Sequence, residues 1–373
     1  MCGDNHLPIT VAVLYGYPLH IGGVESHLLS LFRGVKGASW QVFAHASPEF
    51  KTHAGSLGVS VINESIAHRF DVIGWFRFFR FIQTHRPGVI HIHSPNIFLL
   101  GIFVARISRI PCVLTIHLPA YYFVHSESLS ARFRRGWYQQ IERVAQHLAD
   151  RTIYVSSRVY EEARSLKIVA PARACVIENG VEIKADDVRG SQLTRHDVTV
   201  CCVGRLEYQK GIDVLLEAVS LLSRRSIKAI AIIVGDGQLR TNLAATCGSL
   251  GVKSLVTFAG FQTDVSNYLM ASDIFVLPSR YETMSIALLE AMASGLPCIV
   301  TNVGENAQLI TDGAEGFVVP PEDVEKLADA LAKLIADPDL RRRMGQAARI
   351  KVEQYSGESM AEKTFSVYQS LLK

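Results

Sequence analysis

Two glutamates, Glu282 and Glu290, flank the point where an apolar run begins. Across residues 284 to 293, Met284, Ile286, Leu288, Leu289 and Met292 recur at spacings that let a helix lay them on a sheet. Glu282 then precedes the helix and Glu290 falls in its second or third turn, among Leu289, Ala291 and Met292. A carboxylate suits a polyol, because each oxygen accepts a separate O–H donor. Backbone N–H groups near Met284, Ser285 and Ile286 have no partner inside such a helix and can face a phosphate or a sugar. A capping glutamate beside a surface one explains Glu282 as simply, and Glu290 less well. Gly295 and Pro297 end the segment.

Three further loops carry residues with chemistry in them. Arg205 and Lys210 stand in Val203-Gly-Arg-Leu-Glu-Tyr-Gln-Lys-Gly211, between a strand and a helix, where two cations can converge on one diphosphate. A solvated surface pair fits equally. Gly22 and Gly23 open a helix bearing Glu25 and His27; glycines there let the backbone approach an anion, and a plain helix-entry turn fits as well. His117 ends the run 113–117, where an imidazole can reach a reacting group or serve structure alone. His91 and His93 share one strand face, but two ligands without a third do not make a metal site. Asp337-Pro-Asp339 lies between two helical segments and reads as a helix cap, so no metal site is expected.

The elements that must position these residues alternate along the whole chain. Strand-like runs at 9–15, 41–44, 89–93, 112–116, 152–155 and 175–177 are separated by helical stretches, and a second series follows at 198–203, 228–234, 256–258, 274–277, 298–301 and 316–319. That order predicts an α/β protein with two Rossmann-like domains, each a parallel sheet joined by right-handed crossovers. Ligands of such sheets sit beyond the carboxyl ends of the strands, where all the candidate loops fall. The polar stretch 184–196 marks the boundary, giving domains 1–185 and 186–355; helix 356–373 is open to either.

With 373 residues, 49% of them hydrophobic and 20% charged, the chain is globular and long enough for two cores. Its seven cysteines form no Cys-x-x-Cys pair and mostly sit in apolar runs, which predicts buried thiols in a reducing compartment. Without a leader-like start or a long apolar run, a cytoplasmic protein is expected. Residues 1–180 hold 18 Lys and Arg against 11 Asp and Glu, so the first half is basic and the second acidic. No nucleic-acid motif accompanies that charge. Instead residues 71–83 carry Trp75, Phe76, Phe78, Phe79 and Phe81 around nearly every face of a helix, with Arg77, Arg80, Arg132, Arg134, Arg135 and Trp137 nearby. Peripheral contact with an anionic membrane and ordinary core packing both explain this.

Taken together, the motifs resemble the GT-B glycosyltransferases of the large retaining family 4. The resemblance spans nearly the whole chain: Gly22-Gly-Val-Glu25, His91-Ile-His-Ser-Pro95, Ile177-Glu-Asn-Gly-Val181, Gly204-Arg-Leu with Lys210-Gly211, Gly235-Asp-Gly237, and Glu282 with Glu290 before Ala291-Met-Ala-Ser-Gly-Leu-Pro297. It implies a GT-B fold with the two sheets facing across a cleft. A nucleotide-sugar donor, UDP-linked before GDP-linked, would be held mainly by the second domain. A hydroxyl acceptor such as a lipid-linked glycan, a glycolipid or a small molecule would enter from the first, in cell-surface polysaccharide or glycolipid synthesis.

By the same resemblance Arg205 and Lys210 match the diphosphate-binding pair, Glu290 the ribose-binding carboxylate, and Glu282 the residue on the sugar hydroxyls, helped by N–H groups at Met284, Ser285 and Ile286. His117 matches the histidine beside the donor sugar and Gly22-Gly23 the loop over the phosphates. No metal or other cofactor is implied. One departure is that many members have Gly-Phe-Gly where this chain has Thr283-Met284-Ser285, whose bulk is expected to narrow the sugar pocket. A nucleotide-sugar epimerase, a sugar phosphorylase and a silent sugar-binding module remain alternatives. A dinucleotide-dependent dehydrogenase does not, because the loop after 9–15 lacks Gly-x-Gly-x-x-Gly.

Overall fold

The structure, a computed structural model, describes residues 9–16, 23–64, 66, 71–124, 128–183 and 197–373. The chain forms two compact units, Met1–Asn179 with Gly357–Lys373, and Gly180–Ser356. The stretch 184–196 lies outside the described residues.

The first unit is built on seven strands: β1 (Ile9–Leu14), β2 (Ala38–Phe43), β3 (Ser60–Ile62), β4 (Val89–Ile92), β5 (Cys112–Ile116), β6 (Arg151–Tyr154) and β7 (Ala174–Val176). They pair in parallel in the order β3-β2-β1-β4-β5-β6-β7. The second unit has β8 (Val198–Val203), β9 (Ala229–Val234), β10 (Val256–Gly260), β11 (Ile274–Leu277), β12 (Cys298–Thr301) and β13 (Gly316–Val319), again parallel, in the order β10-β9-β8-β11-β12-β13. Central strands such as β4, β5, β11 and β12 are buried along their whole length, which is why they read as nearly continuous apolar runs, interrupted by His91, Thr115 and Thr301, rather than alternating. Each sheet is covered on both faces by apolar clusters. The short edge strand β3 escapes a sequence reading because three residues show no periodicity.

Both sheets reverse their strand order at the same place, between β1 and β4 and between β8 and β11. Loops leaving those neighbours diverge to opposite faces and open a crevice, the usual ligand position of doubly wound sheets. In the second unit they are the loops carrying Arg205, Lys210 and Glu282.

The C-terminal helix Gly357–Leu371 belongs to the first unit and packs on the helix Gly23–Gly34. A Cβ on Gly34 would stand 2.4 Å from that of Ala361, so the close crossing needs a glycine. Asp71 caps the aromatic helix Val72–His85 by accepting from the Gly74 N–H; Phe78, Phe81 and Ile82 enter the core while Phe76 faces solvent. Asp337 accepts from the Leu340 N–H at 2.8 Å and caps the helix Pro338–Lys351, and Asp339 pairs with Arg342. Six cysteines, Cys112, Cys175, Cys201, Cys202, Cys247 and Cys298, are free thiols. No helix among the described residues is long and apolar enough to cross a membrane.

Candidate functional site

In the second unit β8 ends in a turn that returns through Tyr208–Lys210 to a helix at Ile212, and Gly211, at φ +60, starts that helix. The Lys210 stem lies across Gly204, where a Cβ would come within 3.2 Å of it. Its Nζ reaches Glu282 Oε1 at 2.5 Å, and Ser279 Oγ donates to the same oxygen at 2.9 Å. Both members of the ion pair are largely buried, at 14% and 6% side-chain exposure. A buried pair of this kind holds its geometry because either charge alone would be left uncompensated. Glu282 Oε2 takes no hydrogen bond among the described residues, and an ammonium offers two N–H groups beyond the one Glu282 uses. The pair is therefore oriented yet open to a polyol on one side and an anion on the other.

Arg205 behaves differently. Its guanidinium is 61% exposed and donates to Glu207 Oε1 at 3.2 Å and Gln209 Oε1 at 3.4 Å. Gln209 in turn donates to the Tyr281 carbonyl, linking the Arg205 loop to the Glu282 loop. Thus Lys210 is engaged by a buried carboxylate, while Arg205, on the same loop, is exposed.

The helix after Glu282 runs Ile286–Ala293 and is capped by Ser285, whose hydroxyl accepts from the Leu288 N–H. It begins two residues later than expected, and Met284 lies before it with its side chain in the apolar cluster below. The expected narrowing of a pocket by Met284 is corrected accordingly, since that bulk is spent in the core. The first turn, from Ile286, presents N–H groups that the helix cannot satisfy.

Glu290 lies in the second turn with no side-chain hydrogen bond among the described residues. Burial, with a smaller push from the Asp264 carboxylate, raises its carboxyl to about 7. Gly304, at φ +51, had no place in the sequence reading. A Cβ there would lie 2.4 Å from the Glu282 carbonyl oxygen, so this backbone crossing seats the Glu282 loop. The single signal for it was one glycine in a loop after β12.

In the first unit His117 follows β5 and His93 follows β4, with His93 Nδ1 and His117 Nε2 2.9 Å apart. His27, from the helix after β1, stacks its edge on His117 with ring centres 4.7 Å apart, and its Nδ1–H donates to Asn179 Oδ1 at 3.0 Å. Burial drives His27 down to about 4 and holds His93 and His117 well below the ordinary imidazole range, so all three rings are neutral. His91 is a separate matter: Tyr368 OH and Thr115 Oγ1 occupy both of its nitrogens. On their strand alone, His91 and His93 lack a third ligand. The fold brings up His27 and His117, and one ring nitrogen each from His27, His93 and His117 lie within 4.8 Å of one another. Gly22 lies outside the described residues; Gly23 begins its helix with nothing within 4 Å of a Cβ placed there.

The pattern defining the family Glycosyl transferases group 1 matches residues 184–351, and that of Glycosyltransferase Family 4 matches residues 21–185. The chain is 30% identical over 272 residues to the UDP-Gal:alpha-D-GlcNAc-diphosphoundecaprenol alpha-1,3-galactosyltransferase of Escherichia coli, covering 69% of each protein. It is 31% identical over 281 residues to the alpha-D-kanosaminyltransferase of Streptomyces kanamyceticus, covering 72% of each. The chain belongs to family 4 of the GT-B glycosyltransferases. Its fold matches that of the Anabaena protein HepE, crystallised with UDP-glucose, at a TM-score of 0.81 and 21% identity over 97% of this chain and 100% of that one. This glycosyltransferase is thus an enzyme with two Rossmann-like domains.

Proposed function

We propose that this glycosyltransferase moves a hexose from a UDP-sugar, with GDP-sugars second, to a hydroxyl of a lipid-linked glycan, with retention at the anomeric carbon. The observation that carries the reading is the Glu282 carboxylate, one oxygen held by Lys210 and Ser279 and the other open, beside a helix N-terminus at the strand-order reversal. The open oxygen accepts sugar hydroxyls, the remaining Lys210 donors and Arg205 meet the diphosphate, the backbone N–H groups at Met284, Ser285 and Ile286 assist, and Glu290 accepts from the ribose. His117 and the Gly22-Gly23 loop are assigned to the donor sugar and the phosphates.

In the transfer, the bond from the anomeric carbon to the diphosphate oxygen breaks and the bond to the acceptor oxygen forms on the same face. The acceptor's proton passes to the departing phosphate oxygen. Negative charge grows on that leaving group, and Lys210, Arg205 and the helix N-terminus are fixed donors that stabilise it without reorganising. On this reading no metal is required, and no carboxylate acts as a covalent nucleophile.

The lipid-linked acceptor is supported by the name of the Escherichia coli relative, which pairs UDP-Gal with GlcNAc-diphosphoundecaprenol. It is also supported by the surface of the first unit. Three helices there, Val72–His85, Phe98–Ser108 and Leu129–Leu148, pack side by side. Each exposes an apolar stripe: Val72, Ile73 and Phe76; Leu99, Phe103 and Ile107; Leu129, Phe133 and Trp137. Exposed Arg77, Arg80, Arg106, Arg132 and Arg134 lie on the same helices, and exposed Arg109 caps the second of them. Apolar groups flanked by cations suit an anionic bilayer at the inner, cytoplasmic face of a membrane.

The test is transfer from radiolabelled UDP-hexoses and GDP-hexoses to a polyprenyl-diphosphate-linked sugar, with the anomer of the product read by NMR. An α-linked product from an α-linked donor is expected; an inverted product, or sugar release with no acceptor dependence, overturns the reading.

A further inference from the structure

We infer that His27, His93 and His117 form a binding site for one transition-metal ion of the zinc class. The three come from different parts of the chain and converge through the fold: a helix after β1, the end of β4 and the end of β5. One ring nitrogen of each lies within 4.8 Å of the others. Ligands of a tetrahedral zinc ion stand about 3.3 Å apart, given Zn–N bonds of 2.0–2.1 Å; His93 Nδ1 and His117 Nε2 already lie 2.9 Å apart, and an ion would replace the hydrogen bond between them.

The proton inventory points the same way. Asn179 Oδ1 can only accept, so His27 carries its proton on Nδ1 and offers a lone pair at Nε2. A side chain that fixes the tautomer through the far nitrogen is the usual second layer around a metal-bound histidine. His93 Nε2 is buried and has no hydrogen-bond partner among the described residues, although His93 is only 2% exposed. A buried polar nitrogen left so is costly in a protein that satisfies the neighbouring ring completely, as it does at His91. Three imidazoles with no carboxylate or thiolate among them select zinc, nickel, cobalt or copper over magnesium or calcium, and leave a fourth position for water.

An ion there would occupy His117, and so compete with the donor sugar. That consequence rests on the role given to His117 above; the binding does not.

The experiment is titration of the untagged, full-length protein with Co²⁺, followed by its visible ligand-field absorption and by calorimetry. One ion per chain is expected, displaced by Zn²⁺ and absent in His117→Ala, the most accessible of the three. Asn179→Ala should weaken binding about 10–100-fold, and far-UV circular dichroism with the thermal transition reports whether each variant is folded. X-ray absorption on the Zn²⁺ form provides a check that needs no variant: a first shell with three imidazoles is expected. Absence of one-to-one binding by the wild type, a first shell without imidazole, or unchanged binding in folded His117→Ala overturns the site. If Co²⁺ binds but transfer is unaffected, the metal site stands and the assignment of His117 to the donor falls.

Discussion

The second unit keeps the charges of Lys210 and Glu282 buried and paired, while the first packs His27, His93 and His117 together in neutral form and carries exposed arginines as well as exposed Phe76, Phe103, Phe133 and Trp137. The sheets have the same order about the same reversal, so the difference does not come from topology. On the proposed function it comes from what each unit has to solvate. A site for a diphosphate sugar needs fixed ions in a low-dielectric setting, where each is worth more than in water. A surface that meets a bilayer needs apolar area with cations around it, and its arginines act only through screened, long-range attraction.

The largest effect is expected at Glu282. Replacing it with alanine should lower kcat about 10³-fold while UDP still binds, because Lys210 is released toward the phosphates; a fall in UDP affinity equal to the fall in kcat would show that Glu282 serves the nucleotide instead. Lys210→Ala should weaken UDP about 10–150-fold, the equivalent of one charge-assisted hydrogen bond of roughly 1.5–3 kcal/mol. Calorimetry decides it, and affinity equal to wild type would move the diphosphate elsewhere.

In the first unit, Arg132→Ser with Arg134→Ser should reduce partition onto anionic vesicles by roughly tenfold or more, at about 1 kcal/mol for each arginine near the surface. Transfer to a water-soluble acceptor should be unaffected. Equal loss on neutral vesicles would make the contact purely apolar.

Glu290 supplies a smaller, pH-dependent effect. Its carboxyl is raised to about 7 by burial, so the folded state holds that proton more tightly than the unfolded one. Stability from this group is present at low pH and lost as pH rises from the ordinary carboxylate range through about 7. Glu290→Gln should therefore melt higher than wild type at pH 8 and gain less at pH 5. If the ribose hydroxyls favour the ionised form, UDP affinity rises from pH 6 to 8 in wild type and stays level in the variant. The smallest expected change is none at all: EDTA should leave transfer undiminished, and a loss restored by Mg²⁺ would end the metal-free reading of the diphosphate site.

Period and punctuation in the sequence were enough for the two parallel sheets, because a strand buried on both faces must be apolar throughout and its crossover must be helical. They were also enough to bring out Glu282, Lys210 and Glu290, since a carboxylate among Leu289, Ala291 and Met292 is costly without a purpose. Which side chain each one meets was not legible. Lys210 and Glu282 are 72 positions apart and joined by an ion pair, while Arg205, close to Lys210 in the chain, is exposed and pairs with Glu207. Met284 looked like pocket lining and is core, because its Cβ direction depends on where the helix starts, and Ser285 sets that start. His27, His93 and His117 scatter over 91 positions and meet only because parallel strands align their carboxyl ends at one edge of the sheet. The C-terminal helix likewise found its place by packing, against Gly34 and over His91. Local pattern determined which elements form and which residues are out of place among apolar neighbours; long-range packing alone decided the pairings, because contact across a sheet edge has no period in the chain.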